Sequence, residues 1–395
     1  MPAGMGVTGE FDDDLLDDPR RLEATDSGGL LRAAATAGAQ VRSTTAAAAE
    51  GGLAQLRGER PRALVLLTRP GAAPAAAPLL LALLGPSCPV PVVTTRSVPI
   101  WVGALDIVLA NTTDPVDREL AEGIDRAVRR GAQVVLTAPA DGPVTAAAAG
   151  RAVLLVPRIE VPPGLTLPRA LTAGLLLLNA LKLLETDAEV LAGELDREAE
   201  RNHVAHESLV NPAKALALRL EGRTPLLWGT DPVATAVAGH CAGALAAHAG
   251  VVAHAAGYPE SAALPVLRQE ATRADGEADL FHDPFEEPFG DQSRHRMPAM
   301  RPVLLGVPAP YAAARYQAER AAALEALPGA DLVTADEELM VRHDDPGAAT
   351  YAAAVLGLRF DFAALYLGLG RGLLGGPGWV GSAGASGALG PHISD

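Results

Sequence analysis

The amino-acid sequence predicts an α/β fold made of two tandem units, each built on a doubly wound parallel sheet. Short, continuous apolar runs such as residues 63–68 are typical of parallel strands, which helices cover on both faces. Helical patterns alternate with these runs, and the alternation begins again after residue 211. The same pattern in both halves of the chain indicates an internal pseudo-repeat.

The first unit is predicted to span residues 15–184, after a disordered, Gly-rich and acidic segment at residues 1–14. Each apolar run is followed by a helical pattern, as expected of strand–helix–strand connections. The predicted strands are 63–68, 89–95, 106–110, 133–137 and 152–156, and the predicted helices are 15–23, 29–56, 75–84, 118–130, 143–149 and 169–183.

The second unit is predicted at residues 211–372, joined to the first by a connecting helix within 185–210. It opens on a helix with Asn211 as N-cap and Pro212 in the first turn. A strand then leads into Asp231, which begins another helix; such junctions are where open α/β sheets bind ligands, especially anions. The other predictions are strands 225–228, 251–255, 303–307 and 331–334, helices 312–327 and 348–369, a loop at 270–300 and a disordered, dispensable tail at 373–395.

Composition narrows the classes of function. A net charge of −15 argues against binding nucleic acid by phosphate neutralisation. The two cysteines, Cys88 and Cys241, suggest neither a disulfide framework nor a zinc site, and we predict no metal and no cofactor. The apolar run at residues 171–181 is too short to cross a bilayer. We therefore expect a cytoplasmic protein with no membrane partner.

Four motifs, in their order and spacing, resemble the SIS-domain family of bifunctional phosphoglucose/phosphomannose isomerases, in particular its divergent, actinobacterial-type members. The resemblance extends over residues 15–372. The motifs are Val-Pro-Ile-Trp-Val at 98–102, Pro-Arg-Ala-Leu at 168–171, Asn-Pro-Ala-Lys-Ala-Leu-Ala-Leu from Asn211, and Tyr-Leu-Gly-Leu-Gly-Arg-Gly at 366–372.

The resemblance implies two tandem SIS-type domains, a homodimer, and isomerisation of glucose-6-phosphate or mannose-6-phosphate to fructose-6-phosphate through an enediolate. It places the sugar phosphate at Asn111, Thr112 and Thr113, with Lys214 close by. Arg169 matches the family's active-site arginine, and a guanidinium suits an enediolate or phosphate because it stays protonated and offers forked donors. We expect residues 111–113 and Arg169 to face one cleft. The alternative at residues 111–118 is an ordinary Asp cap on the next helix.

The family's proton-handling positions carry no acid or base in this sequence. Aligned on the Pro-Glu pair that ends at Glu260, the base position falls on Ala247 and the ring-opening position on Ala263. Glu260 is the first candidate for a replacement catalytic base, followed by His248 and His254. Two hypotheses follow: a phosphosugar isomerase with a rewired or lost site, or a non-catalytic protein that binds sugar phosphate or acts as a regulator.

Overall fold

The α/β class and the two doubly wound units are confirmed by the computed structural model, in which two parallel sheets share a helical core. The predictions for residues 1–10, 274–298 and 376–395 lie outside the described residues. The structure describes residues 11–71, 73–148, 150–273, 299–307, 313–335, 339 and 345–375.

The first sheet has the strand order β2-β1-β3-β4-β5 and is parallel throughout. The order reverses between β1 and β3, so the loops after these two strands flank a crevice at the carboxyl edge, where doubly wound sheets bind ligands. The strands are β1 (Ala63–Leu67), β2 (Val92–Thr95), β3 (Asp106–Asn111), β4 (Gln133–Thr137) and β5 (Val153–Leu155).

Helices cover both faces of the first sheet. One face packs Val65 and Val108 against Ile124, while Leu64 and Leu66 point into the core shared with the second unit. The predicted helix 29–56 is divided, because the Thr36 hydroxyl donates to the carbonyl of Ala33 and ends the first segment. The helices are α1 (Pro19–Thr25), α2 (Leu30–Ala35), α3 (Ala37–Glu50), α4 (Ala76–Leu84), α5 (Arg118–Arg129), α6 (Pro143–Ala148) and α7 (Leu167–Ala180).

The second sheet repeats this arrangement with the order β7-β6-β8-β9, so its crevice lies between β6 and β8. The strand predicted at 251–255 begins three residues later. Gly250 takes a left-handed conformation after the preceding helix, and the Val251 amide donates to Leu245 in that helix cap. The strands are β6 (Thr224–Gly229), β7 (His254–Gly257), β8 (Met300–Leu305) and β9 (Asp331–Val333).

The helices of the second half surround a long central helix, α14, whose residues are all buried. In the part of the chain that the structure describes, α14 alone is long and apolar enough to cross a membrane, but its apolar window is wholly buried inside the protein. The helices are α8 (Ala188–Arg201), α9 (Pro212–Leu220), α10 (Pro232–Ala249), α11 (Tyr258–Ala262), α12 (Pro265–Arg273), α13 (Ala313–Ala326) and α14 (Ala348–Gly370).

A buried ion network joins α8 to α14. The Glu198 carboxylate accepts hydrogen bonds from the Arg359 guanidinium at 2.7 and 3.0 Å, and from Arg201 at 2.9 Å and Asn202 at 2.7 Å. The Glu198 side chain is 0% exposed, so these donors replace all of its hydration. The network therefore fixes α14 against the helix that links the two units.

Both chain ends of the described region are packed, which corrects the predicted disorder at residues 11–14 and 373–375. The amide of Asp12 donates to the carbonyl of Gly370, and Leu374 is only 6% exposed in the shared core. The hydroxyl of Ser27 donates to the carbonyl of Gly375. Since burying a leucine contributes roughly 1.5–3 kcal/mol, the start of the predicted tail stabilises the fold.

Candidate functional site

A small pocket lies at the carboxyl edge of the first sheet. It is lined by Asn111 at the end of β3, by Thr112 and Thr113 after it, by Thr137 at the end of β4, and by Arg169 on the first turn of α7. Parallel strands end at the same edge, which is why the loops after β3 and β4 meet there. The structure thus brings together four of the six residues that sequence reasoning assigned to the site.

Arg169 is a buried cation without a carboxylate partner among the described residues. Its side chain donates to the carbonyl of Ile159 at 3.2 Å, and the residue is 8% exposed. Burial lowers the pKa of Arg169 from its ordinary value. A guanidinium still remains protonated, and a buried charge without a counter-ion is costly. The pocket measures about 10 Å³, room for about one water molecule, so an anion as large as phosphate would relieve that cost from the mouth of the pocket.

Two further polar atoms in the pocket lack partners. Asn111 Oδ1 and Thr137 Oγ1 are buried and make no hydrogen bond within the described part of the chain. The threonine hydroxyl is a donor as well as an acceptor, and rotation of the Asn111 amide would turn an N–H group toward the same space. Because buried polar groups are normally satisfied, these two atoms indicate a polar occupant.

The helix N-terminus of α5 is closed by protein groups. Asp117 is its N-cap and accepts from the amide of Leu120 at 3.0 Å. The same carboxylate forms a two-pronged ion pair with Arg69, which also contacts Glu119. This fits the alternative of an Asp cap, with Asp117 as the capping residue. The pocket beside Arg169, rather than the N-terminus of α5, is therefore the candidate site for an anion.

A larger cleft of about 830 Å³ adjoins this pocket and separates the two units. Its walls are the loop after β1, including Gly71, the Pro163–Gly164 turn and one face of α10. Gly71 connects the two spaces: a Cβ at Gly71 would lie 3.8 Å from both Pro163 and the Thr113 hydroxyl. The hydroxyl of Thr113 donates to the carbonyl of Gly71 at 3.5 Å, so this contact forms the boundary between the pocket and the cleft.

The α10 wall of the cleft is made of small residues. Ala236, Gly243 and Ala247 recur at helical spacing on one face, and the described residues lining the cleft include no Asp or Glu. Ala247, the position that the resemblance assigns to the base, is on this wall. His240 is the only titratable residue in the described lining.

His240 forms a buried pair with an aspartate of the central helix. Its Nε2 lies 2.9 Å from Oδ1 of Asp361, which is 1% exposed. Burial alone would lower the pKa of His240, but the charge of Asp361 and the hydrogen bond outweigh it, so the pKa lies above its ordinary value. Sequence reasoning missed this pair. The available signal was an aspartate inside the apolar run of α14.

The other predicted site residues lie outside both spaces, which corrects their assignment. Lys214 is fully buried in α9, and its ammonium donates to the carbonyls of Val204 at 2.9 Å and His206 at 2.6 Å. Glu260 is exposed on the short helix α11. Lys214 therefore acts in packing, and Glu260 is not among the described residues that line the cleft.

The histidines proposed as replacement bases also differ in placement. His254 accepts a hydrogen bond from the indole of Trp228 at 3.1 Å. His248 is buried near Gly164, its Nε2 has no partner in the described structure, and burial lowers its pKa. Ala263, the other family position, is exposed. Of these residues, His248 alone lies beside the cleft wall.

The junction after β6 is filled by a carboxylate. Asp231 caps α10 by accepting from the amide of Ala234 at 2.9 Å, and also accepts from Val307 at 3.3 Å. It lines a neighbouring cavity of about 890 Å³ at the edge of the second sheet, which shares Pro232 and part of α4 with the cleft. Burial raises the pKa of Asp231 to about 6 in spite of these hydrogen bonds. Above pH 6 the Asp231 carboxylate is itself the anion at this junction, where the sequence led us to expect a bound anion.

Asp231→Asn should stabilise the protein more at pH 8 than at pH 4.5. The pKa of Asp231 is about 6 in the folded protein and 3.8 ordinarily. The wild-type protein therefore loses stability as the pH rises from 3.8 to about 6 and above. That difference corresponds to about 3 kcal/mol, while asparagine keeps the N-cap. Urea unfolding at both pH values measures the effect. Asp187→Asn at the exposed cap of α8 is the control, and an equal effect of Asp231→Asn at both pH values would contradict the prediction.

Comparison with known proteins supports the expected resemblance. Residues 209–373 match the family described as the bacterial phospho-glucose isomerase C-terminal SIS domain. No match was found among curated protein sequences.

Solved structures of similar fold cover nearly the whole chain. A hypothetical protein from Thermus thermophilus is 15% identical, with a TM-score of 0.59, covering 90% of this chain and 89% of its own. A candidate phosphosugar isomerase from Silicibacter pomeroyi is 16% identical, with a TM-score of 0.54 and coverages of 86% and 96%. Tagatose-6-phosphate ketose/aldose isomerase from Escherichia coli is 11% identical, with a TM-score of 0.51 and coverages of 89% and 92%. At these identities the likeness establishes the fold.

Proposed function

We propose that this chain, which carries a SIS domain of the bacterial phospho-glucose isomerase C-terminal type over residues 209–373, binds a hexose phosphate between its two units. The phosphate lies against Thr112, Thr113 and Arg169, and the sugar extends past Gly71 into the cleft. The observation that carries this proposal is the buried, unneutralised guanidinium of Arg169 beside unpartnered atoms of Asn111 and Thr137.

The chemistry of the pocket fits a phosphate better than a carboxylate. A phosphate offers several anionic oxygens, enough for the forked donors of Arg169 and for the unpartnered side chains of Asn111 and Thr137 at once. The cleft beyond the pocket is mostly apolar, so its described lining offers the hydroxyl groups of a sugar few hydrogen-bonding partners. Affinity therefore depends mainly on the phosphate end.

Isomerisation of glucose-6-phosphate or mannose-6-phosphate to fructose-6-phosphate should be slow by the family's route. The positions assigned to the base and the ring-opening residue are Ala247 and Ala263, and a methyl group moves no proton. A positioned general base contributes roughly 10²–10⁴-fold in rate. Binding survives the loss of this route better than turnover does, so these two positions by themselves favour a sugar-phosphate sensor or carrier. We expect a homodimer, as the resemblance implies, and a cytoplasmic location, as the sequence composition indicates.

Arg169→Met should weaken the binding of glucose-6-phosphate about tenfold to a hundredfold. Hydrogen bonds to charged groups contribute roughly 1.5–3 kcal/mol, and 1.4 kcal/mol is a factor of ten in the dissociation constant. Isothermal titration calorimetry with glucose-6-phosphate, mannose-6-phosphate, fructose-6-phosphate and unphosphorylated glucose measures the effect.

The matched control is Arg158→Met, which removes a half-exposed arginine paired with Glu50 on the surface. This variant should bind as the parent does. The proposal fails if the parent protein binds no sugar phosphate, or if Arg169→Met binds it as tightly as the parent.

A further inference from the structure

We propose that His240 and Asp361 form a proton-transfer pair that acts on the open-chain sugar phosphate in the cleft, with His240 as the general base and Asp361 as its positioning residue. This inference rests on the proposed function, since it needs a ligand held in the same cleft. It supplies an imidazole where the family's carboxylate base is absent.

The geometry fixes the proton on one nitrogen of His240. Asp361 Oδ1 lies 2.9 Å from Nε2, so the neutral imidazole carries its proton there and donates it to the carboxylate. Nδ1 has no hydrogen-bond partner among the described residues, and His240 lines the cleft. The lone pair of Nδ1 is thus available to a ligand, with the base oriented by a third group as in other proton-transfer sites.

The position of His240 on α10 also suits the role. It precedes Ala247 by seven residues, which is two helical turns or roughly 10 Å along the same wall. A sugar phosphate anchored beside Thr113 enters the cleft past Gly71 and Gly164, and both of these residues line the cleft together with His240. His240 therefore lines the same space that the carbon chain of the ligand enters under this proposal.

The charged and titratable surroundings favour an ionisable imidazole. On α10, Cys241 stays a neutral thiol because burial raises its pKa well above the usual range, and His248 tends to the neutral form because burial lowers its pKa. On α14, Arg359 is engaged by Glu198. Asp361 is consequently the charge that acts most directly on His240, and it stabilises the imidazolium formed when a proton is taken up.

The proposed step is balanced in atoms and electrons. His240 Nδ1 takes a proton from C1 of the open-chain 2-keto sugar phosphate. The C–H electron pair forms a C1–C2 double bond, and the carbonyl pair moves to O2, giving an enediolate and an imidazolium. Return of the proton to C1 restores the ketose. Transfer of the O1 proton to O2, followed by protonation at C2, gives the aldose.

The test separates this step from ring opening. The probe is 5-deoxyfructose 6-phosphate, which lacks the hydroxyl needed to close a ring, and the readout is deuterium at C1 by NMR in D₂O. The parent protein should catalyse this exchange. His240→Gln should lower the exchange rate by about 10²–10⁴-fold while the dissociation constant for the probe, measured by calorimetry, changes less than about threefold.

Asp361→Asn should reduce exchange at least tenfold and shift its pH profile to lower pH, because the carboxylate that raises the pKa of His240 is gone. A purely structural role would leave that profile unmoved. His203→Gln, at an exposed histidine outside the cleft, is the control and should exchange as the parent does. Circular dichroism melts of each variant establish that it is folded.

The outcomes distinguish the two proposals. Binding of the probe without exchange by the parent, or unchanged exchange in His240→Gln, overturns the proton-transfer pair and leaves sugar-phosphate binding in place. Failure of the parent to bind any sugar phosphate overturns both. Exchange that depends on His240 and on Asp361 supports the pair.

Discussion

In a His240→Gln background, the double variant Ala247→Glu/Ala263→His should isomerise fructose-6-phosphate about 10²–10⁴-fold faster than His240→Gln alone. The gain is that of one positioned general base, because Ala247 lines the cleft and a glutamate there would face the bound sugar. Ala263 is exposed and outside the described cleft lining, so Ala247→Glu alone should carry most of the increase. A coupled assay for glucose-6-phosphate measures the rate.

The control for this variant is Ala246→Glu. Ala246 is the neighbouring exposed residue of the same helix and lies outside the described lining of the cleft. Ala246→Glu introduces the same charged, helix-forming residue as Ala247→Glu, but it places no carboxylate near the ligand. Equal rates for Ala246→Glu and Ala247→Glu, or no gain in either, would show that the base position has been placed incorrectly.

Glu198→Gln should lower the free energy of unfolding by about 3–5 kcal/mol. The substitution removes the carboxylate that accepts two hydrogen bonds from the Arg359 guanidinium, whose side chain is 5% exposed, and breaking a buried ion pair from one side costs about this much. Arg201 loses the same partner. Equilibrium unfolding in urea measures the change.

A surface pair provides the comparison for Glu198. Glu189→Gln removes a carboxylate that is 71% exposed and paired with Arg42, and it should change the free energy of unfolding by less than about 1 kcal/mol. If the two glutamine variants were equally stable, the network between α8 and α14 would contribute little.

Much of the fold could be predicted because the strands of parallel sheets are short, apolar throughout and separated by helices. β4 matches its predicted bounds, and β1 is one residue shorter than predicted. The boundary between α2 and α3 was missed because alanine is compatible with every turn of a helix, so the pattern alone does not mark an interruption. The packing of Leu374 was missed because a single buried residue gives no periodic signal.

The candidate site was predictable only where it is local in sequence. Residues 111–113 lie at the end of a predicted strand, and Arg169 belongs to the Pro-Arg-Ala-Leu motif. All four residues line one pocket. The pair of His240 and Asp361 joins residues 121 positions apart, and spacing in the sequence carries no information about such a contact. Lys214 was misassigned because a lysine on a helix suggests a solvated or ligand-facing group, whereas backbone carbonyls hold this one in the interior.

The central position of α14 has a consequence for folding during synthesis on the ribosome. α14 packs against α8, α9 and α10, yet it follows all of them in the sequence. At roughly 5–20 residues per second, a ribosome needs on the order of ten seconds to pass from the end of α8 to the end of α14. During that interval the apolar faces that α14 will cover remain open. The nascent chain should therefore bind holdase chaperones until α14 emerges, whereas the first sheet is complete well before.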